Sequence, residues 1–252
     1  MIPSADEQHH LMDVLRCKDG EVVAVFDGKG REAKARITVS GHGGTGSHRK
    51  PGIVLKIIAA GATAGPELSV TLIQSLPKGT RMDWIVEKAV ELGVTEIVPV
   101  ISERTIVRLD PRGRRARGER WQRLALSASR QCGTKWVPDV RAVCDYMEAV
   151  GNCAGAGYDL LLVGSLAADA RPLRDVLRNA AKEKIARLGL IIGPEGDLTD
   201  DELKAAIDNG ATPVSFGQLV LRVETAALYG LSTIVYEFSP LRQNSPVVLS
   251  GK

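Results

Sequence analysis

The chain has 252 residues, 44% hydrophobic and 25% charged, the balance of an ordinary globular protein with room for one large or two small cores. Its net charge of +3 is compatible with a nucleic-acid partner but too weak to demand one. No apolar run is long enough to span a bilayer, and the N-terminal MIPSADEQHHLMDVLR lacks the basic-then-apolar order of a secretory signal, so no membrane association and a cytoplasmic location are expected.

The first part of the chain reads as β. Glu21–Phe26 and Arg31–Ser40 are strand-like and joined by the turn DGKG at Asp27–Gly30. GHGGTGSHRKPG, residues 41–52, contains a literal G-x-G-x-x-G. It is followed by Pro51 and the strand-like IVLKIIAA, so it reads as a hairpin loop and not as a dinucleotide fingerprint, which must open a helix. Ile53–Ala60 and Leu68–Ser75 are further strands on either side of GATAGPE.

The pattern then changes to alternating α and β. Met82, Ile85, Val86, Ala89 and Leu92 recur at helical spacing, Gly93 is placed to end that helix, and Thr80 with Asp83 has the spacing of a capping box. A strand at Glu96–Val100, a helix at Ala116–Gln131 ended by Gly133, a strand at Asp159–Val163, a helix at Pro172–Arg187 and a strand at Leu188–Ile192 follow. Asp200–Asn209, Thr212–Phe216 and Glu224–Tyr236 complete the series, which predicts a mostly parallel sheet covered on both faces. The tail from Ser239 reads as a loose end.

Two loops carry the functional signal. LIIGPEGDLTDDEL, from Leu190 to Leu203, and VSFGQLVLRVETAAL, from Val214 to Leu228, each run from an apolar strand through glycine into a helix. In α/β sheets such loops lie at the carboxyl ends of strands, where ligands bind. Thr199 with Glu202 has capping-box spacing, and Asp200 and Asp201 suit the helix macrodipole. Those acids would repel a phosphate, so a neutral or cationic ligand fits better than a nucleotide triphosphate. Arg222 lies between apolar Leu219–Leu221 and an apolar helix. That placement predicts a partly buried guanidinium, which needs either a ligand or an ion pair with Glu195 or Glu224.

Between them lies PRGRRARGERWQR, with Arg112, Arg114, Arg115, Arg117, Arg120 and Arg123 around Trp121. It reads either as a solvated helix face or as a surface for RNA phosphates, with aromatic or guanidinium planes free to stack on bases. The four cysteines, Cys17, Cys132, Cys144 and Cys153, show no C-x-x-C spacing and read as reduced thiols. No His/Cys cluster has ligand spacing, so no metal is expected.

Taken in order, these segments resemble the SPOUT-superfamily methyltransferases that modify N3 of a uridine in small-subunit ribosomal RNA. HHLMDVLRCKDGE resembles the family's HHL-x-x-VLR-x-x-x-G, and RMDWIVEKAVELGVTEIVPVISERT its RMDW-x-x-x-KA-x-ELGV signature. SRQCGTKWVP is similar to EQSGR-x-x-VP, while IGPEGDLTDDEL and FGQLVLRVETA resemble IGPEGG-[FL]-[ST]-x-x-E and LG-x-R-ILR-x-ETA. Asp197 stands where that pattern has a second Gly, Leu219 where it has Arg, and Thr134 where QSGR has Arg.

The resemblance implies a small PUA-like β-barrel over residues 1–66 that binds RNA, then a SPOUT α/β domain with a trefoil knot over residues 67–252. It implies S-adenosylmethionine as methyl donor, a homodimer, and small-subunit (16S) ribosomal RNA or the assembled subunit as partner. The cofactor would be held by Leu162, Val163 and Gly164, by Ile192, Gly193, Pro194, Glu195 and Gly196, and by Phe216, Gly217, Leu219, Leu221 and Arg222. Arg16, Arg81, Lys88, Arg104, Gln131 and Lys135 would contact RNA. Arg222 is the candidate for stabilising charge on the uracil, and Glu195 the candidate proton acceptor. An RNA methyltransferase with another target base, or a non-catalytic RNA-binding module, are the alternatives.

Overall fold

The computed structural model describes residues 2–40 and 52–239. The expected GHGGTG loop and the tail beyond Ser239 lie outside the described residues. The chain divides into two compact units, Met1–Gly65 and Pro66–Lys252.

In the first unit a short helix α1 (Ala5–His9) runs into a π-helical turn at His10–Val14. Three strands follow, β1 (Val22–Phe26), β2 (Arg31–Ser40) and β3 (Gly52–Ala62), forming an antiparallel meander. The β1–β2 turn closes because the Asp27 carboxylate accepts the backbone N–H groups of Lys29 and Arg31, while Gly28 and Gly30 supply positive φ. One face of the sheet buries Ala35, Ile37, Ile53 and Leu55. Their alternation with exposed Arg36, Val54 and Lys56 is the period-2 pattern of a half-buried strand pair.

The second unit is a parallel sheet with helices on both faces. In chain order it contains β4 (Ser69–Ser75), α2 (Arg81–Glu91), β5 (Glu96–Ile101), α3 (Pro111–Cys132), β6 (Asp139–Val140), β7 (Cys144–Asp145) and α4 (Tyr146–Gly151). Then come β8 (Leu160–Gly164), β9 (Arg171–Pro172), α5 (Leu173–Ala180), β10 (Arg187–Ile192), α6 (Asp200–Asp208), β11 (Ala211–Ser215) and α7 (Val223–Phe238). The strand order is β6-β5-β4-β10-β8-β11-β9, with β7 also paired to β5, and every pairing is parallel. The strand expected at Leu68–Ser75 therefore belongs to this unit and pairs with β5 and β10 near the sheet centre. Its side chains are buried on both faces, with Leu72 under α2 and α7 and Ile73 under α4 and α6.

Three local expectations change. Helix α3 begins five residues earlier than the periodicity indicates, because Asp110 caps it through Gly113 N–H and Pro111 occupies the first turn. Helix α5 ends at Ala180 rather than Arg187. There the Asp159 carboxylate accepts the N–H groups of Ala186 and Arg187 at 2.8 Å each and directs the chain into β10. Thr80 and Asp83 do not form a capping box. The Asp83 carboxylate is taken instead by Trp121 Nε1 at 2.8 Å and by Arg120. Trp121, 1% exposed, is thus a core residue joining α2 to α3 and is not available to stack on a base.

Candidate methyl-donor site

The strands β8, β10 and β11 are in register, with Leu190 opposite Leu162 and Val214 opposite Gly164. Their carboxyl ends stop side by side, and the loops that leave them enclose a cavity of about 420 Å3, within the range of small-molecule sites. Gly164, Ile192, Gly193, Pro194, Glu195, Phe216, Gly217, Leu219, Leu221 and Arg222 line it. Leu162 and Val163 do not reach it, because both are fully buried strand residues facing the two helical layers. Gly196 also stays outside the lining, and a Cβ placed on it would stand 3.4 Å from the Arg104 side chain.

Glycine is required here for two distinct reasons. A Cβ on Gly164 would stand 2.9 Å from the Phe216 ring, which is itself held edge-on by Tyr229 at 5.9 Å between centroids. Gly217 has φ +125°, a conformation open essentially to glycine alone. Asp197 occupies a positive φ of 60°, the left-handed region that Asp tolerates better than most residues. Its carboxylate accepts the Leu198 N–H at 2.9 Å, so this Asp performs the turn that a second Gly would otherwise make.

The next segment starts α6. Thr199 and Glu202 form the expected capping box. Glu202 is 5% exposed, and its other carboxylate oxygen accepts the Glu103 N–H, tying the β5–α3 connection to this helix start. Arg104 in the same connection donates to the carbonyls of Gly196 and Leu198 at 2.8 and 3.3 Å. The loop after β10 is therefore held from both sides.

The charged groups are arranged differently from expectation. Arg222 is exposed rather than partly buried, because Leu219 and Val220 project outward at 79% and 76% exposure and do not cover it. Nor does it pair with a carboxylate among the described residues. Arg81, in the first turn of α2, takes both candidates: it lies 2.8 Å from Glu195 and 3.7 Å from Glu224. Glu195 Oε1 also accepts the Lys78 N–H at 3.0 Å. Arg81 thereby bridges the two loops while Arg222 faces the cavity unpaired.

Asp197, noted from sequence only as a departure from the family pattern, also lines the cavity, as do Ser165, Leu166, Ser215, Val220, Val223 and Ala226, which were not singled out. Ser165 and Leu166 simply continue the chain past the end of β8, which is the signal that could have found them. Of the residues expected to contact RNA, only Arg81 reaches the cavity. Arg16 is exposed in the first unit with φ 53°. Lys88 lies on α2 between Glu87 and Glu91, both at 2.8 Å, and bonding to these carboxylates raises its pKa. Gln131 is in the last turn of α3, about 30 Å along that helix from Pro111, and half-buried Lys135 follows it.

An α/β sheet with a ligand-sized cavity at the carboxyl ends of its parallel strands is an architecture suited to binding a small molecule. Family comparison defines the class: the RNA methyltransferase domain matches residues 65–235, the RNA methyltransferase PUA domain matches residues 3–44, and the chain belongs to this RNA methyltransferase family. Among its relatives is the ribosomal RNA small subunit methyltransferase E of Synechocystis, 32% identical over 90% of this chain and 69% of that protein. The enzyme of the same name from Bacillus subtilis is 27% identical over 95% of this chain and 91% of its own length. The crystal structure of the Neisseria gonorrhoeae ribosomal RNA small subunit methyltransferase E, bound to S-adenosyl methionine, superposes with a TM-score of 0.75. It is 33% identical and covers 92% of this chain and 89% of that one.

Proposed function

We propose that this protein transfers the methyl group of S-adenosylmethionine to N3 of a uridine in small-subunit ribosomal RNA. The observation that carries the reading is the cavity itself, built from the loops after β8, β10 and β11 with an unpaired Arg222 on its wall. Its residues fit that donor. Ile192, Leu221 and Ala226 offer apolar surface for a flat base, loop backbone offers hydrogen-bonding groups, and Glu195 and Asp197 suit a cation. The bound cofactor would supply an already activated methyl group.

The chain's own contribution is alignment and charge. N3 of uracil must lose a proton as the new bond forms. Arg222, free of carboxylate partners, is placed to stabilise the anion that develops. Glu195 is the candidate proton acceptor through Oε2, since Oε1 is already occupied by Lys78 N–H and Arg81. The target base has to leave its stack to enter such a pocket. In this reading residues 1–66 hold RNA, residues 67–252 carry the donor site, and the enzyme works as a homodimer in the cytoplasm. The position of β10 between the earlier strands β4 and β8 supports a knotted path for the chain in the second unit.

The test is methyl transfer from labelled S-adenosylmethionine to purified small subunits and to naked small-subunit RNA, with the product nucleoside identified by mass spectrometry. 3-Methyluridine is expected. Methylation of another base or position, or tight donor binding without transfer to either RNA, would overturn the reading.

A further inference from the structure

The segment from Arg108 to Arg130 contains eight arginines against Asp110 and Glu119, a local charge of +6 in a chain whose total is +3. The remainder of the protein is therefore net acidic, and its positive charge is concentrated on and beside one helix. On α3 the inward positions are fully accounted for. Arg114 pairs with Asp145 at 2.8 Å, Gly118 is buried where a Cβ would stand 3.0 Å from the backbone of Arg141 and Ala142, and Gln122 bonds Pro138 and Val140. Trp121, Ala125 and Ala128 fill the core. Arg120 is used by Asp83.

What remains faces outward. Arg112, Arg115 and Arg123 fall within about 80° of one another on a helix of 3.6 residues per turn, on the side opposite the buried residues. All three are exposed, and none has an ion pair among the described residues. Glu119 shares this face at i,i+4 spacing from both Arg115 and Arg123, yet forms a salt bridge to neither, so the stripe is not a self-neutralised helix surface. Its upper end lies at the carboxyl edge of the sheet, because Arg114 meets Asp145 of β7, which pairs with Ile101 at the end of β5. That is the edge that carries the donor cavity.

We infer that the outer face of α3, through Arg112, Arg115 and Arg123, is a binding surface for the sugar-phosphate backbone of RNA, distinct from the donor cavity and from the residues that handle the target base. The identity of the nucleic acid rests on the proposed function; the surface rests on the charge distribution. Exposed arginines without acidic partners are matched to phosphate oxygens in geometry and charge. Spread over about 16 Å of helix, they suit several phosphates of one strand rather than one bound anion. Such contacts position the substrate without reading its sequence.

The experiment measures the salt dependence of binding to purified small-subunit ribosomal RNA by the full-length protein and by an Arg112→Gln, Arg115→Gln, Arg123→Gln triple variant. Each lost phosphate contact reduces the slope of log K against log salt by about 0.7 to 0.9, so the triple variant should be shallower by about 2 to 3. The corresponding triple Arg→Lys variant should keep most of the slope. Binding of S-adenosylmethionine, measured by calorimetry, should be the same in all three proteins, which also shows that the variants fold. An unchanged slope in the glutamine variant overturns the surface, and so does a change in oligomeric mass with RNA affinity retained, which would assign the face to another protein chain. The two readings fail separately. A wild type that binds RNA with the steep slope but transfers no methyl group defeats the proposed function alone, and normal transfer with an unchanged variant slope defeats the surface alone.

Discussion

At the scale of single residues, the arrangement of Arg81, Glu195, Glu224 and Arg222 sets the test that separates a structural from a catalytic arginine. Both carboxylates that could have neutralised Arg222 are held by Arg81. Arg222→Ala should therefore leave the melting temperature nearly unchanged while single-turnover methyl transfer falls by about a hundred- to a thousandfold, the usual loss for one transition-state donor. A folded variant with near-normal turnover removes Arg222 from the chemistry. Arg81→Ala should also slow transfer, because Glu195 and Glu224 are then released to capture Arg222. Asp197 carries the second prediction. With φ at 60° and a carboxylate bonded to Leu198 N–H, it resembles the glycine it replaces. Asp197→Gly should change stability by less than about 1 kcal/mol, whereas Asp197→Val should cost about 1–2 kcal/mol or more for a β-branched residue in that region. Urea unfolding of the two variants checks the difference, and equal stabilities would mean that the turn relaxes to negative φ. The backbone role of position 197 was not legible from residue types, since an Asp before a helix reads equally well as a capping acid.

At the scale of elements, two stretches with the same capping-box spacing behave oppositely. Thr199 and Glu202 form the box, and the buried Glu202 additionally anchors the Glu103 N–H. Thr80 caps nothing through its side chain: the Asp83 N–H goes to the Thr80 carbonyl, and the Asp83 carboxylate is held by Trp121 and Arg120 instead of reaching back. Thr199→Ala should thus destabilise the protein by about 1 kcal/mol, and Thr80→Ala should be close to neutral, as read from denaturant midpoints. Equal losses at both positions would contradict the assignment. The comparison shows why helix starts are only partly legible: spacing shows which bonds are possible, and tertiary competitors decide which are made. Periodicity located the α2 and α7 helices to within a few residues, since each buries an apolar stripe, and the capping box marked the start of α6. It placed the start of α3 late because Arg112–Arg117 carry no apolar pattern there, and the helix is nucleated by Asp110 and Pro111 instead. The two-residue strands β6, β7 and β9 and the short helix α4 have no signal that outweighs their neighbours.

At the scale of the whole molecule, the glycine loops and their following helices were readable because strand, turn and cap all leave local marks. The pairing of β10 with β4 and β8 was not, since nothing local records which strands become neighbours. The site so assembled needs no metal in the proposed reaction, and dialysis against a chelator should leave methyl transfer intact on RNA kept folded by other ions. Loss of activity restored only by a divalent cation acting on the protein would reverse that. The last prediction concerns the surface around the cavity. Leu166, Leu219 and Val220 line it at 61%, 79% and 76% exposure, so apolar side chains stand open to water at its mouth. On α7, Ala227, Leu231 and Ile234 are buried, yet the opposite side presents Tyr229 and Tyr236 at 48% and 86% exposure with half-buried Leu228 and Val235 beside them. A helix apolar on both sides requires a second packing partner, and contiguous exposed apolar surface marks an interaction site. The proposed homodimer would bury this face of α7 in a symmetric contact, since the most common closed assembly pairs one patch with itself. Light scattering at micromolar concentration should give twice the chain mass. Tyr236→Glu should shift it toward the monomer without altering the far-ultraviolet circular dichroism, because Tyr236 contributes almost nothing to the fold of a single chain. Donor affinity should fall with the dimer fraction if the partner seals the rim at Leu219 and Val220. A stable wild-type monomer with full methyl-transfer activity would remove the dimer from the reading and leave the exposed rim to the RNA itself.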